Sequence, residues 1–388
     1  MTSNVELANL WAYQNQFCPD STHAHLNNAG LARISKPARD CLLRWAELFF
    51  RDGFATDGVY KAEVLLTRQR LAHLIGCQAG DIAFFTNPSS ALSQLAFGLK
   101  WNASSEIVVF DQEYPSNLYP WLTLQRRDSG VKLHQVPSGT NLGVPREPFL
   151  SLLNERTRLV SLSWVQFQTG ARLDIPSWSR EIRKRAPQAL IVVDAMQGLG
   201  LHPMSWADWD VDALVGGSYK WLTSPVGVAF LVVKPDLLEK LEPILIGSAT
   251  FGTCDDAFST VCSPKTDASR FESGSKQSLD IMALGASLEM ILQCGVQTIE
   301  KEALRLADRL RAGLIDLGCT LHSPELTDGP SAIVNFSGPV SVERIAEAFD
   351  REKVLFARRG PGLRLSPGAF TKDREIDLAL STIQAIGD

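Results

Sequence analysis

What this chain lacks narrows it before any motif is read. It has no excess of positive charge: 38 Lys and Arg stand against 43 Asp and Glu, a formal −5 with a pI near 5.8. Nucleic acid is therefore not an expected partner, because binding a polyanion means displacing its counterions with clustered cations. No apolar run approaches the ~20 residues that span a bilayer, and Met1 to Pro19 does not read as a signal peptide, so a cytoplasmic protein without a membrane partner is expected. No CxxC pair occurs. The seven cysteines, at 18, 41, 77, 254, 262, 294 and 319, are an odd number, which suits a reducing compartment better than a disulfide framework or a zinc site. The six histidines are scattered, with only His23 and His25 close together. Two ligands do not make a structural metal site, so no metal is expected. There is no internal repeat and no GxGxxG turn after an early strand, which sets aside a nicotinamide-dependent dehydrogenase.

What is present is ordinary in bulk and specific in order. With 45% hydrophobic and 21% charged residues the composition is that of a globular protein, and 388 residues suggest two packed domains. Between about 80 and 235, short apolar runs alternate with longer amphipathic stretches: IAFFT (82–86), IVVFD (107–111), LVSLSW (159–164), LIVVDA (190–195), ALVGGS (213–218) and VAFLVV (228–233). Continuous β-branched runs suit strands buried on both faces, and their alternation with helices predicts an α/β fold with a mainly parallel sheet. Between the last two runs, after Tyr219, stands only KWLTSPVG, too short for a crossover helix, so that pair is expected to be antiparallel. After about 250 the pattern changes to a long polar loop. Helices follow near 279–294 and 299–317, then a strand at 332–337, a helix at 341–351, a strand pair around KVLFARRG and PGLRLS, and a last helix from about 372. The expected organisation is a large domain over 25–252 and a smaller α+β domain over 253–388, with residues 1–24 packed on the latter.

In GGSYKWLTSP, a lysine sits just past a buried strand. Desolvation lowers an amine's pKa and makes it a nucleophile toward an aldehyde, whereas an isolated lysine more often reaches for solvent. Twenty-six residues upstream, IVVDAMQG ends a strand at Asp194, and an acid at the carboxyl end of a parallel strand faces the crevice where α/β proteins bind ligands. Alone, Asp194 reads equally well as a helix cap. The order and spacing of Asp194 and Lys220 carry the signal.

VVDAMQGLG followed by GGSYKWLTSPVG resembles the core of the class V aminotransferases. These are fold-type I enzymes of pyridoxal 5′-phosphate (PLP) that include cysteine desulfurases, kynureninases, isopenicillin N epimerase-like proteins and C–S lyases. LNNAG (26–30), TNPSSAL (86–92), EYPSNLYPW (113–121), QFQTG (166–170), RFESG (270–274) and LRLSP (363–367) extend the likeness in order over nearly the whole chain. The resemblance implies a seven-stranded sheet with one antiparallel strand, and a role for each matching residue. Lys220 would hold PLP as a Schiff base and move protons at the substrate Cα. Asp194 would pair with the pyridine nitrogen, keeping the ring an electron sink. Gln197 would bond near the ring's phenolic oxygen or the lysine, and of the candidates Gln166 and Gln168 the kynureninase-like alignment favours Gln166 as the contact to the cofactor oxygen. Tyr114, after Glu113, would stack on the ring, against the alternative of a packed core tyrosine.

Ser89 and Ser90 stand where the family holds the phosphate, at a helix start whose free N–H groups favour an anion; the plain alternative is a serine N-cap. Tyr219 matches a phosphate contact of kynureninases. Ser275 matches a residue that crosses a homodimer interface to the neighbour's phosphate. Arg364 matches the arginine that forks onto the substrate carboxylate. Asn28 would line the substrate pocket, and Arg358 or Arg359 would gate it or receive a second acidic group.

The resemblance leaves the reaction open among transamination, β-elimination and epimerisation, with the first two preferred. A persulfide-carrying desulfurase fits less well: ARRGPGLR has no cysteine before LR, and Cys254 and Cys262 lie in an earlier loop. A noncatalytic PLP-binding regulator would carry a DNA-binding domain ahead of LNNAG, for which about 25 residues are too few.

Overall fold

The structure, a computed structural model, describes residues 4–18, 22–127, 130–138, 142–252, 262–322 and 328–387. A helix α1 (Asn4–Gln14) leads to α2 (Lys36–Asp52) and α3 (Asp57–Ile75). The seven strands of the main sheet are β1 (Ile82–Phe85), β2 (Glu106–Phe110), β3 (Lys132–Val136), β4 (Thr157–Ser163), β5 (Leu190–Asp194), β6 (Ala213–Gly217) and β7 (Ala229–Val233). They lie in the order β1-β7-β6-β5-β4-β2-β3, and β7 alone runs antiparallel to its neighbours β1 and β6. Strands β2, β5, β6 and β7 are buried at every position, as their unbroken apolar runs require of a sheet covered on both faces.

One strand was not among the apolar runs. Lys132–Val136, KLHQV, is one of the two edge strands, paired only with β2, and only Val136 in it is buried. An edge has little to bury, so its sequence carries polar residues where central strands carry valine.

Helices α4 (Pro88–Gly98), α5 (Pro115–Arg126) and α6 (Ile175–Arg185) follow β1, β2 and β4. Each has proline in its first turn, where no N–H is needed. The cap of α4 is Asn87, whose Oδ1 accepts from the Ser90 N–H at 2.9 Å, so neither serine is the N-cap.

Beyond the sheet, α7 (Ser278–Cys294) packs against α2 and α3, and α8 (Val296–Asp316) leads into a four-stranded antiparallel sheet. Its strands are β8 (Thr320–Leu321), β9 (Val334–Ser337), β10 (Ala357–Arg359) and β11 (Gly362–Leu365), in the order β10-β11-β9-β8. Helices α9 (Val342–Arg351) and α10 (Asp373–Gly387) pack on one another. The N-terminal segment reaches this region: Phe17 stacks on Phe370 at 3.9 Å, and Ala24–His25 pairs in parallel with Val354–Leu355.

The two sheets meet at a tight turn. Gly170 has φ +77, and a Cβ there would lie 2.5 Å from Ser331 Oγ and 2.7 Å from the Ile333 carbonyl, so both conformation and contact demand glycine.

Among the described residues no single helix is long and apolar enough to cross a membrane. The cysteine reading needs correction. Cys18, Cys41, Cys77, Cys294 and Cys319 are free, but Cys262 is disulfide-bonded; Cys254 lies outside the described residues.

Candidate active site

The carboxyl ends of adjacent parallel strands form the floor. Asp194 ends β5 and is paired in register with Ser163, the last residue of β4. In a doubly wound sheet these ends open onto the ligand crevice. Asp194 is 5% exposed, and its Oδ1 accepts from the Met196 N–H at 2.9 Å; among the described residues no hydrogen bond reaches its other oxygen. Burial raises its pKa, opposed by that bond and by the charge of Lys220.

Lys220 lies on the connection between β6 and β7, which is pinned on all sides. The Ala32 N–H donates to the Tyr219 carbonyl at 3.0 Å, and the Ser35 N–H and Ser287 Oγ donate to the Thr223 carbonyl. The Trp221 indole donates to Gln197 Oε1 at 3.1 Å. The backbone that carries Lys220 is thus fixed, and the residue is 7% exposed. No hydrogen-bond acceptor among the described residues meets its Nζ; the tyrosine rings of Tyr114 and Tyr219 lie 5.6 and 5.9 Å away. Burial lowers its pKa to about 7, with Asp194 opposing and the charges of Arg364 and Arg359 adding to the fall.

One cavity is lined by Lys220, Asp194, Gln197, Tyr219, Tyr114, Phe167 and Ser116, among others. The structure therefore brings together five of the residues singled out in the sequence. Tyr114 is partly exposed and stands edge-on to Phe167, with centroids 5.1 Å apart at 87°. Gln197 has both amide ends engaged, Nε2 donating to the Ala29 carbonyl at 2.9 Å while Oε1 takes the Trp221 bond. Ser89 stands at the rim, its Oγ 2.8 Å from that of Ser116, and Ser90 is bound back to Asn87.

Other expected residues lie elsewhere. Gln166 is fully buried behind the cavity, its Nε2 donating to Glu113 Oε1 at 2.9 Å, while its neighbours Val165 and Phe167 face the opening. Gln166 opens a turn in which the Gly170 N–H donates to its carbonyl at 2.8 Å, and its side chain is spent on Glu113 rather than on the cavity. Asn28 Nδ2 donates to the Ser366 carbonyl at 2.8 Å and its Oδ1 has no partner. It is Asn27, one residue earlier, that meets Arg364. Ser275 sits in a different cavity of the same chain, with Tyr60, Arg68 and Lys276.

Arg364 is 1% exposed. It donates to the Phe167 carbonyl at 2.7 Å and to Asn27 Oδ1 at 3.1 Å, and its Nε has no partner. No carboxylate among the described residues pairs with it, and burial lowers its pKa to about 9, with the Arg359 charge second. Arg358 does not reach the site. It is paired with Leu363 across β10 and β11, and its guanidinium lies 3.9 Å from Glu343 of α9. Arg359, two residues from Ala357 and so on the side of Arg364, takes the place expected of Arg358.

Glu113 is the residue sequence reading passed over. Its carboxylate is fully enclosed and accepts from the Ser163 N–H at 3.0 Å, Asn117 Nδ2 at 2.8 Å, Gln166 Nε2 at 2.9 Å and the Ser163 hydroxyl. It ties the start of α5, the end of β4 and the Gln166 turn into one frame around Tyr114. Each donor left unpaired by its loss costs about 1–3 kcal/mol. Its signal was local: an acid ahead of a proline-started helix.

A buried amine without an acceptor, a buried guanidinium without an anion and a carboxylate with a free oxygen make a set that fits an anionic aldehyde cofactor with a basic ring nitrogen. Such a set at the strand ends of this seven-stranded sheet, with a smaller α+β domain closing over it, defines a fold-type I PLP enzyme.

The comparisons with known proteins agree. The aminotransferase class-V profile matches residues 41–361, and the chain belongs to that family of PLP-dependent enzymes. An uncharacterized aminotransferase, YcbU, of Bacillus subtilis is 25% identical over 380 residues, 96% of this chain and 97% of that one. Isopenicillin N epimerase of Streptomyces clavuligerus is 28% identical over 339 residues, covering 82% and 83%. A probable cysteine desulfurase of Methanothermobacter thermautotrophicus is 27% identical over 248 residues, 63% of this chain but only 60% of that relative. Among solved structures, the cysteine desulfurase of Thermococcus onnurineus superposes with a TM-score of 0.85 at 19% identity, over 97% of each chain. A C-DES mutant with glycine covalently linked to its PLP cofactor gives 0.87 at 19% identity, over 95% and 98%.

Proposed function

We propose that this protein works at the α-carbon of an amino acid, as an aminotransferase or a β-eliminating carbon–sulfur lyase, with Lys220 as the covalent anchor of PLP. The observation that carries the reading is the Lys220 amine, buried without an acceptor and sharing one cavity with Asp194. PLP supplies an electron sink for charge that develops at Cα. The chain supplies the rest. Lys220 would hold the cofactor's aldehyde group, and its neutral amine would take and return a proton at the substrate Cα. Asp194 would hold the pyridine nitrogen. Tyr114 packs beside the ring, and Gln197 keeps the Lys220 connection in place through Trp221. Ser89, Ser90 and Tyr219 receive the phosphate at the start of α4. Arg364 forks onto the α-carboxylate.

Elimination and transamination are favoured over sulfur transfer because the tight β10–β11 turn carries no cysteine and Cys262 is disulfide-bonded. YcbU is described as an aminotransferase, and C-DES as a cystine C–S lyase.

Borohydride reduction of the cofactor-loaded protein should leave the pyridoxyl group on Lys220, located by peptide mass analysis; a label on another lysine refutes the anchor. Loading of cofactor-free protein should speed up as pH rises through about 7 and then level off, since the amine is protonated and non-nucleophilic below its pKa. With amino acids as substrates, keto acid plus ammonia marks elimination, whereas conversion of the cofactor to its amine form marks transamination.

The active unit is proposed to be a homodimer in which Ser275 serves the neighbour's site. Its own chain's Lys220 cavity does not include it, and Leu43, Phe50, Val59 and Leu65 leave apolar surface on α2 and α3 nearby. Sedimentation should give about twice the 42.6 kDa chain mass; a single-chain mass removes this reading.

A further inference from the structure

We propose that the substrate is an amino acid bearing a second acidic group, a side-chain carboxylate or sulfinate, and that Arg359 receives it. This rests on the reading of Arg364 as the α-carboxylate site.

The pleat selects Arg359. Across β10 and β11, Ala357 is paired with Arg364 and Arg359 with Gly362, while Arg364 is in turn paired with Asn335 of β9. Directly paired residues share a face, and alternate residues along a strand return to it. Arg359, Arg364 and Asn335 are therefore on the site face, and Arg358 is on the opposite face with α9. The backbone reinforces this: Asn335 Nδ2 donates to the Arg359 carbonyl and to the Gln168 carbonyl, both at 3.0 Å. Phe167 joins the pair to the cavity. Its carbonyl accepts from Arg364, and the Arg359 guanidinium lies 5.9 Å from its ring, which lines the cavity with Lys220.

Neither guanidinium is paired with an acid among the described residues. Arg359 donates from one terminal nitrogen to the Arg358 carbonyl, and its buried Nε has no partner. The Lys220 cavity is lined by one cation and one carboxylate, Lys220 and Asp194, and two further cations, Arg364 and Arg359, stand against Phe167 of its wall. The charge of Arg359 is felt there, since it depresses the pKa of both Lys220 and Arg364. A monocarboxylic amino acid would neutralise Arg364 and leave Arg359, on the same sheet face, without an acidic partner. A second acidic group pairs with it in poorly hydrated surroundings, where such hydrogen bonds are strong.

The experiment compares isosteres on the cofactor-loaded protein: aspartate against asparagine, glutamate against glutamine, and cysteine sulfinate against cysteine. Binding is read from the change in the cofactor's visible absorbance and, independently, from the rise in melting temperature. At least one acidic member should bind at least about tenfold more tightly than its neutral partner. Arg359→Gln should bring that pair within about threefold, weakening the acidic member far more than the neutral one, and Arg358→Gln should keep the wild-type preference. Equal or tighter binding of every neutral member, or a preference that survives Arg359→Gln, overturns the inference while the cofactor reading stands. Protein that acquires no cofactor absorbance overturns both.

Discussion

Replacing Lys220 by alanine is expected to lower turnover at least about 10⁴-fold, because on the proposed reading it removes both the cofactor's covalent anchor and the base at Cα. The cofactor should still bind, held by its phosphate and ring contacts, so the variant is expected to be coloured but inert. Lys220→Arg separates charge from nucleophilicity. It keeps a cation beside Asp194, whose raised pKa the Lys220 charge holds down, yet a guanidinium offers no neutral amine near pH 7. Both variants should be equally inactive. If Lys220→Arg retained more than a trace of turnover in a stopped assay, Lys220 would be acting through its charge alone.

Arg364→Ala should lower kcat/KM by about 10²- to 10³-fold, mainly through KM, the range found when one partner of a buried charge pair is truncated. Arg364→Lys should recover little, since a point charge does not reproduce the two-toothed contact. Stability is expected to change far less than activity. Truncation strands the Phe167 carbonyl and Asn27 Oδ1, but it also removes a buried cation that lacks an acid partner. These effects oppose, so kinetics and melting curves should diverge. A variant that loses stability in proportion to activity, with KM unmoved, would mark Arg364 as a structural residue only.

Much of this protein is legible in one dimension. The β-branched runs announce buried strands, and the eight residues of KWLTSPVG, too short for a crossover, announce the antiparallel pair that β6 and β7 form. Asp194 and Lys220 stand out because each ends a run that must be buried, so each must emerge at the same edge of the sheet. The edge strand β3 is hidden for the converse reason: little of it is buried, and its polar residues look like loop.

Sequence alone determined the layer architecture and the strand ends where Asp194 and Lys220 emerge, since both follow from runs of residues adjacent in the chain. Only the tertiary structure decided which neighbour of each pair faces the site: Arg359 over Arg358, Phe167 over Gln166, and Asn27 rather than Asn28 against Arg364. For the arginines the reason is parity: in extended chain a one-residue shift turns a side chain to the opposite face, and the register against β11 fixes that face. At Phe167 and Asn27 it is a turn, closed by Gly170 N–H on the Gln166 carbonyl and by Gly30 N–H on the Asn27 carbonyl and placed by residues far away in sequence.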